Sequence, residues 1–415
     1  MNLLVGELSP SQRFWRFFTA GAVSNTGTAV TAVALPLIAV ITLQSSPVEV
    51  GLLTAASYAA WLVLGLPAGV IVARLPLRGT QVVMDLARAA AIVSVPVAYA
   101  TGSLTLVHLV LVALIVSLAS VLFDVGNATF LPSVVPPEER TKRNSLMSVS
   151  HSLTDMGGPT LGGVLVQLVG AVPTLLLDTL SYLVSALLLR SLPAAPVAAQ
   201  GPAPRMWEQI RQGWHYVVRH PVIGLCMWAA LAVNFVSGAL LTLTPLYLVR
   251  TLGASPALVG VLLGTEGAGA LLGATLTPRL VRRVGSARTL LLVSGGQLLS
   301  AVLLPLGSDG VGMVLFGFGN AGLAANVVVF SIITRTYRQN ASPPELLSRV
   351  MATVRFVSWG AIPIGALLAG VLAQATSPRV ALWTSVLALV APIMLAWIGP
   401  LARVRDLENV PTLRP

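Results

Sequence analysis

Long runs of apolar residues, separated by short segments rich in Arg, Pro or Gly, follow one another along almost the whole chain. A helix needs about 20 mostly apolar residues to cross a bilayer. These runs are apolar on all faces, unlike the amphipathic helices of a soluble bundle. The pattern predicts an all-α, polytopic membrane protein with twelve transmembrane helices. We expect them near residues 14–42, 49–72, 80–101, 105–131, 145–169, 172–192, 221–250, 256–278, 288–306, 310–334, 349–373 and 379–399.

The composition indicates the same class of protein. Of the 415 residues, 55% are hydrophobic and only 9% are charged, whereas an average soluble domain has roughly 25% charged residues. So few charges cannot cover a surface in water, and most of the surface must therefore contact lipid. Residues 1–12 lack the basic start and the small-residue cleavage site of a signal peptide, and we expect them in the mature protein.

The positions of the basic residues predict the orientation in the membrane. If the N-terminus is cytoplasmic, 21 of the 25 Lys and Arg residues lie in cytoplasmic loops or termini. Arg250 and Arg379 then lie outside, and Arg88 and Arg355 lie within spans. This asymmetry follows the positive-inside rule. It places both termini in the cytoplasm and explains the net charge of +11 without a nucleic-acid partner.

The chain repeats itself. Residues 25–75 align without gaps on residues 234–284, so that Asn25 matches Asn234 and Pro36 matches Pro245; further along, His151 matches Arg355. Such a repeat predicts two pseudo-symmetric six-helix bundles, residues 1–192 and 221–402, with a tail at 403–415. Parallel repeats of this kind bind substrate between the halves and work by rocking one half against the other.

A linker at residues 193–220 joins the two bundles. Its second part is a basic amphipathic sequence with Trp207, Ile210 and Trp214 on one face. This pattern is typical of a helix that lies on the cytoplasmic leaflet. A helix that packs beneath the two bundles would have the same pattern.

Motifs for catalysis are missing from the sequence. The four His residues are scattered, Cys226 is the single cysteine, and no Gly-x-x-x-x-Gly-Lys-Ser/Thr string occurs. We therefore expect no metal site, no cofactor and no ATP-driven transport. A membrane enzyme or scaffold would need a catalytic cluster in its loops, where only scattered Arg, Glu and Pro occur.

A few ionisable residues fall inside the predicted spans, where each costs at least about 2.5–3.5 kcal/mol on insertion scales. Glu266 lies near the middle of the eighth span among glycines, and we predict that it binds a proton or a cationic substrate. Asp155 and His151 are four residues apart on one helix face and form a candidate proton relay. A purely structural pair, or a protonated Glu266 bonded to a neighbouring helix, is the alternative.

Arg355 occupies the position that the repeat relates to His151, so both are expected to face the central cavity. It has Asp155, Glu266 or an anionic substrate group as candidate partners. Asn25 and Asn234, at matching depths, are either cavity groups or hydrogen-bond partners between helices.

A second charged group is predicted near the cytoplasmic side of the first bundle. Asp85 and Arg88 have the i, i+3 spacing of an ion pair within a helix. Asp124 is expected to join Arg88 or Arg74. With Arg78, these residues form a predicted cytoplasmic gate. Asp178, near the outer end of the sixth span, is expected to be structural.

A motif in the fifth span links the chain to a known family. Gly158-Pro159-Thr160-Leu161-Gly162-Gly163 resembles the antiporter signature of the drug exporters of the major facilitator superfamily, Gly-x-x-x-Gly-Pro-x-x-Gly-Gly, with Thr154 at the first glycine. The resemblance implies the two-bundle fold and export. Close packing of helices through Gly158, Pro159, Gly162 and Gly163 is the alternative.

Further strings, Ser24-Asn25-Thr26-Gly27 and Leu177-Asp178-Thr179-Leu180-Ser181-Tyr182 among them, resemble the group of macrolide-efflux proteins and the enterobactin exporter over residues 10–400. The chain departs from that pattern at Ala73, which replaces the usual loop acid, and at Thr28, which replaces an acid of many relatives.

The sequence thus predicts a secondary active exporter, a proton-coupled antiporter of a small amphipathic compound such as a drug, antibiotic or siderophore. We expect a multi-pass monomer in a bacterial plasma (inner) membrane, with small-molecule substrate, protons and lipid as its partners. An uptake symporter or uniporter on the same fold is the alternative.

Overall fold

The computed structural model describes residues 9–65, 67–136, 139–193, 206–307, 310, 312–398 and 400–409. Regular secondary structure in these residues is entirely helical. Within the described part of the chain, ten helices are long and apolar enough to cross a membrane. This confirms the prediction of an all-α, polytopic membrane protein, while the number of twelve crossings stays a prediction.

The helices coincide with the twelve predicted segments, and two of these segments are broken in two. The first half contains α1 (Pro10–Leu37), α2 (Pro47–Leu64), α3 (Ala68–Ala73), α4 (Leu77–Ala100), α5 (Leu106–Val134), α6 (Arg140–Val169) and α7 (Ala171–Arg190). A linker helix, α8 (Met206–Arg219), follows. The second half contains α9 (Pro221–Leu246), α10 (Pro256–Val284), α11 (Ser286–Leu306), α12 (Gly312–Ala341), α13 (Pro344–Ala375), α14 (Pro378–Ala388) and α15 (Val390–Ile398).

The repeat in the sequence recurs in the backbone. Each half has a Ser-Pro start, at Ser46 for α2 and at Ser255 for α10, where the serine hydroxyl accepts a backbone N–H of the first turn. A π-helical turn ends α1 at Ile38–Thr42, and another ends α9 at Tyr247–Thr251, 209 positions later. The same local sequence therefore bends the two halves at the same place.

The two halves meet along two seams, one between α6 and α10 and one between α2 and α13. Glycines let the backbones approach closely. A Cβ atom added at Gly260 would lie 2.6 Å from the Cα of Gly163, and one added at Gly51 would lie 2.7 Å from the carbonyl oxygen of Ala366. We call this end of the molecule, near residues 43–47, 170, 252–256 and 375–378, the closed end.

The halves separate towards the other end. Asp155 of α6 and Glu266 of α10 lie next to residues of the α6–α10 seam and are nevertheless exposed. Leu271 of α10 continues the face of Gly264 and Gly267 and is 45% exposed. We call this the open end, near residues 74–77, 139–140, 190, 284–286 and 341–344. We call the space between the halves, on this side of the seams, the chamber.

The predicted pair of Asp85 and Arg88 forms inside the first half. Both side chains are buried, and their ion pair links neighbouring turns of α4. The guanidinium of Arg88 also stacks on the rings of Phe123, at 4.1 Å, and Tyr182, at 4.4 Å. Asp178 is buried nearby, inside the bundle, and accepts a hydrogen bond of 2.5 Å from the hydroxyl of Thr31.

Removing one partner of this pair is expected to destabilise the first half strongly. Arg88→Met leaves a buried carboxylate without its cation, a change that costs about 3–5 kcal/mol in comparable pairs. The double variant Asp85→Asn/Arg88→Met removes both charges and should recover most of the lost Tm. Thermal unfolding in detergent measures this; a double variant as unstable as the single one would contradict the account.

Helix α8 packs on α13 and α9 through one face and leaves another exposed. Val217 is buried, whereas Trp214 and Val218 are 41% and 45% exposed. The described part of the tail also docks: the carbonyl of Arg405 accepts the backbone N–H of Ala287 at 3.0 Å. Linker residues 194–205 and tail residues 410–415 lie outside the described residues.

Candidate functional site

Glu266 faces the chamber. Next to it, Gly267 packs against Met156 of α6, and the exposed apolar residues Val261 and Leu272 mark the lipid face of α10. At about 100° per residue, Glu266 lies about 140° from Val261 and about 120° from Leu272. Its side chain is nevertheless exposed. An exposed group that points away from the lipid face opens into the space between the halves.

Two further observations support this placement. Tyr58 of α2, on the other seam, interacts electrostatically with Glu266. Asp155 of α6 does the same and is also exposed. Glu266 and Asp155 therefore bring two carboxyl groups from opposite halves to the inner edge of the α6–α10 seam. Among the described residues, no cation lies within ion-pair distance of either carboxyl.

His151 contacts Asn25 rather than Asp155. The Nδ2 atom of Asn25 lies 3.4 Å from the Nε2 atom of His151, which joins α1 to α6. His151 and Asp155 interact electrostatically but do not form an ion pair. The spacing within α6 had predicted a direct pair; the side chain of His151 instead reaches α1, which packs beside it.

Arg355 is held by aromatic rings. Its guanidinium lies 4.1 Å from the ring centre of Trp61 and 4.9 Å from that of Trp359, a geometry that favours cation–π attraction. The two tryptophans come from opposite halves, with ring centres 4.8 Å apart. The predicted pairing of Arg355 with Asp155 or Glu266 does not form, because α13 packs against α2 and turns Arg355 towards that seam.

Asp124 of α5 belongs to the same group of charged residues, and it interacts electrostatically with Arg88, Arg355 and His151. Its side chain is exposed to the chamber side of α5. The electrostatic links make Asp124 a bridge between the buried Asp85–Arg88 pair and the chamber.

The predicted gate residues do not form a single cluster. Arg78 donates to the backbone oxygen of Leu192 at 2.8 Å, Arg74 is exposed, and Asp85 and Arg88 are buried within the bundle. Asn234 donates to the carbonyl of Ala230 in its own helix and so does not mirror Asn25. A role in gating stays a prediction.

The antiporter-like motif lies where α1, α6 and α10 meet. Gly158 and Gly162 pack on α1, and a Cβ atom at Gly162 would lie 3.1 Å from the Cα of Val30. Gly163 packs on Gly260 across the seam. The motif therefore lets α6 pack closely on α1 of its own half and on α10 of the other half.

The sequence placed Arg250 outside the membrane and assigned it no partner. In the structure it bridges the halves at the closed end. Its guanidinium donates to the carbonyl oxygen of Ser45 at 2.6 Å and to that of Val40 at 3.3 Å. Ile41 occupies the matching position in the first repeat, so the repeat does not supply a second arginine there. Arg379, at the same end, donates to Pro305 and Gly307 of its own half.

Arg250→Ala is expected to loosen the closed end, because it removes two charge-assisted hydrogen bonds between the halves. Spin labels at Gln44→Cys and Thr376→Cys, in a Cys226→Ser background, would report a larger share of long distances. Arg379→Ala is the matched control and should leave the distances unchanged. Equal responses of the two variants, or none, would refute the link.

Comparisons with known proteins agree with this geometry. The family model described as "Transmembrane secretion effector" (MFS_3) matches residues 7–414. Two uncharacterized MFS-type transporters of Bacillus subtilis (strain 168) are similar in sequence. YvqJ is 24% identical over 302 residues, 70% of this chain and 69% of that protein. YfiS is 26% identical over 391 residues, 91% of this chain and 89% of that protein.

Solved structures share the fold at low sequence identity. A bacterial homologue of the iron transporter ferroportin in its inward-facing state has a TM-score of 0.74, with 16% identity, over 94% of this chain and 98% of that chain. The outward-facing state of such a homologue has a TM-score of 0.62, with 16% identity, over 94% and 100%. The family match over residues 7–414 shows that the chain belongs to the MFS_3 family of the major facilitator superfamily and is a membrane transporter, not an enzyme.

Proposed function

We propose that this protein is a proton-coupled exporter of small amphipathic compounds. The observation that carries the proposal is the pair of exposed carboxyl groups, Glu266 and Asp155, at the inner edge of the seam between the halves. Neither carboxyl has a cation at ion-pair distance among the described residues. By the positive-inside rule, the open end is cytoplasmic, and the greater likeness to an inward-facing transporter supports the same orientation.

The two carboxyls supply a physical reason for exchange. Like charges repel, and enclosing an unpaired carboxylate in a dry seam is costly. The halves can close around Glu266 only when its charge is neutralised, either by a proton or by a cationic group of the substrate. The substrate neutralises Glu266 while the protein carries it outwards, and a proton neutralises Glu266 on the return. This alternation couples substrate export to proton uptake.

Export rather than uptake is supported by the resemblance of the motif at Gly158, Pro159, Gly162 and Gly163 to the antiporter signature. The finer resemblance to macrolide-efflux proteins and the enterobactin exporter nominates antibiotics and siderophore-like compounds as cargo. The direction of transport and the class of cargo are both parts of the proposal. An uptake symporter would move substrate in the same direction as the proton.

The test is transport in proteoliposomes with an imposed pH gradient. With the purified protein inserted in a known orientation, we expect amphipathic fluorescent dyes to accumulate against their own gradient on the acidic side. Dissipating the pH gradient should stop accumulation. Accumulation on the alkaline side would indicate symport, and equilibration without accumulation would indicate a uniporter; each result would refute the proposed exporter.

A further inference from the structure

A second cavity, of about 400 Å³, lies between α1 and α6. This size is within the range of small-molecule sites. We call it the side groove. Its walls are apolar with a few hydroxyl groups, and they include Phe18, Ala22, Thr26, Ser150, Thr154 and Gly157.

The side groove opens to the bilayer. Leu153, Leu161 and Leu168 are 57%, 44% and 73% exposed, and their spacing of seven and eight residues places them on one face of α6. Near the closed end, α1 and α10 cover the other faces of α6. The exposed stripe is therefore the lipid face, and Leu153, Leu161 and Gly157 of the same stripe line the groove.

The groove begins at the open end of the bundle. Trp15, 47% exposed, lies on α1 one turn before Phe18, and the guanidinium of Arg143 on α6 stacks on the ring of Phe14 at 4.3 Å. Tryptophan and arginine are typical of the membrane–water interface. Arg143 also forms an ion pair with Glu139, at 2.8 Å.

The contact between Asn25 and His151 lies beside the groove. Thr26 and Ser150 line the groove, and their immediate neighbours Asn25 and His151 contact each other on the chamber side at 3.4 Å. That distance is long for a hydrogen bond. Parting these two side chains would join the groove to the chamber.

Charge favours one kind of occupant. The chamber behind this contact holds the carboxyls of Asp124, Asp155 and Glu266 against the cation of Arg355, which also interacts electrostatically with Arg335. An amphipathic compound with a cationic head would therefore be drawn towards the chamber, while its apolar body would fit the walls of the groove.

We propose that the side groove is a lateral entrance through which cationic amphiphiles dissolved in the cytoplasmic leaflet reach the chamber. The contact between Asn25 and His151 has to open for them to pass. This inference rests on the proposed export function for its direction, but the location of the groove is testable without transport.

The first experiment tests that location. Single cysteines at Gly157, Leu168 and Asp155, in a Cys226→Ser background, carry a bimane label in nanodiscs. We expect brominated acyl chains to quench the label at positions 157 and 168, and aqueous iodide to quench the label at 155. If the label at 157 responds to iodide but not to brominated lipid, the groove does not open to the bilayer and the proposal fails.

The second experiment blocks the groove. A Cβ atom at Gly157 meets no atom within 4 Å, so Gly157→Trp can fill the space without a backbone clash. Leu168→Trp, on the lipid face outside the groove, is the matched control. The probes are a fluorescent cation carrying a dodecyl chain and the same cation carrying an ethyl chain, which enters from water.

We expect Gly157→Trp to lower efflux of the dodecyl probe several-fold and to leave efflux of the ethyl probe unchanged, while Leu168→Trp affects neither. An equal loss for both probes, or no loss for either, would overturn the lateral entrance. If the wild-type protein moves neither probe, the proposed function fails, and the quenching experiment still decides whether the groove opens to lipid.

Discussion

Glu266→Gln is expected to abolish substrate accumulation driven by a pH gradient while leaving exchange of substrate for substrate intact. The amide has nearly the same shape as the carboxyl but neither binds nor releases a proton at this position. The halves should still close over it, because no charge has to be neutralised. Initial rates in proteoliposomes, with and without the gradient, measure both activities.

Two variants control this experiment. Glu408→Gln changes an exposed acid of the tail, far from the chamber, and should transport like the wild type. Asp155→Asn removes the second chamber carboxyl and should weaken coupling, since the repulsion that favours proton binding at Glu266 is lost. If Glu266→Gln and Asp155→Asn both accumulate substrate normally, the site is wrongly assigned.

A side chain at Gly260 is expected to stop transport by holding the closed end apart. The added Cβ would lie 2.6 Å from the Cα of Gly163 and 2.6 Å from the carbonyl oxygen of Pro159, both of which are backbone atoms that cannot move aside. Gly260→Leu should therefore lose accumulation almost completely, with Gly260→Ala intermediate. Spin labels at Gln44→Cys and Thr376→Cys should show a longer distance across the closed end.

Gly295→Ala is the control for this series. It places a methyl group in another helix of the same half, where the nearest atom is 3.5 Å away in the side chain of Trp397. This variant should retain both transport and the short distance. A Gly260→Leu protein that transports normally would show that the α6–α10 seam does not have to close as tightly as it does here.

The fold was largely predictable because its signals are local. Hydropathy located the helices, and the recurrence of Ser46-Pro47 as Ser255-Pro256 marked the repeat. The break between α2 and α3 has a local cause in the sequence, since Pro67 interrupts the second apolar run. The break at Leu389 has the same kind of cause, since Pro392 lies in the first turn of α15 and has no N–H to offer the carbonyl of Ala388.

The site was predictable in its members but not in its pairings. The sequence identifies Glu266, Asp155 and Arg355 as candidate site residues because charges are costly in a membrane. Their partners depend on which helices pack together: Arg355 meets Trp61 because α13 lies on α2, and His151 meets Asn25, 126 positions away. The acceptors of Arg250 are backbone carbonyls, which every residue has, so no sequence pattern distinguishes them.

The most direct test of the account is the reactivity of a thiol placed at position 266. In Glu266→Cys, with Cys226→Ser, a membrane-impermeant maleimide should react when added from the cytoplasmic side and should react poorly from the other side. That result would place position 266 in a water-filled chamber between the halves. A thiol that reacts from neither aqueous side, but only with a lipid-soluble reagent, would contradict the account.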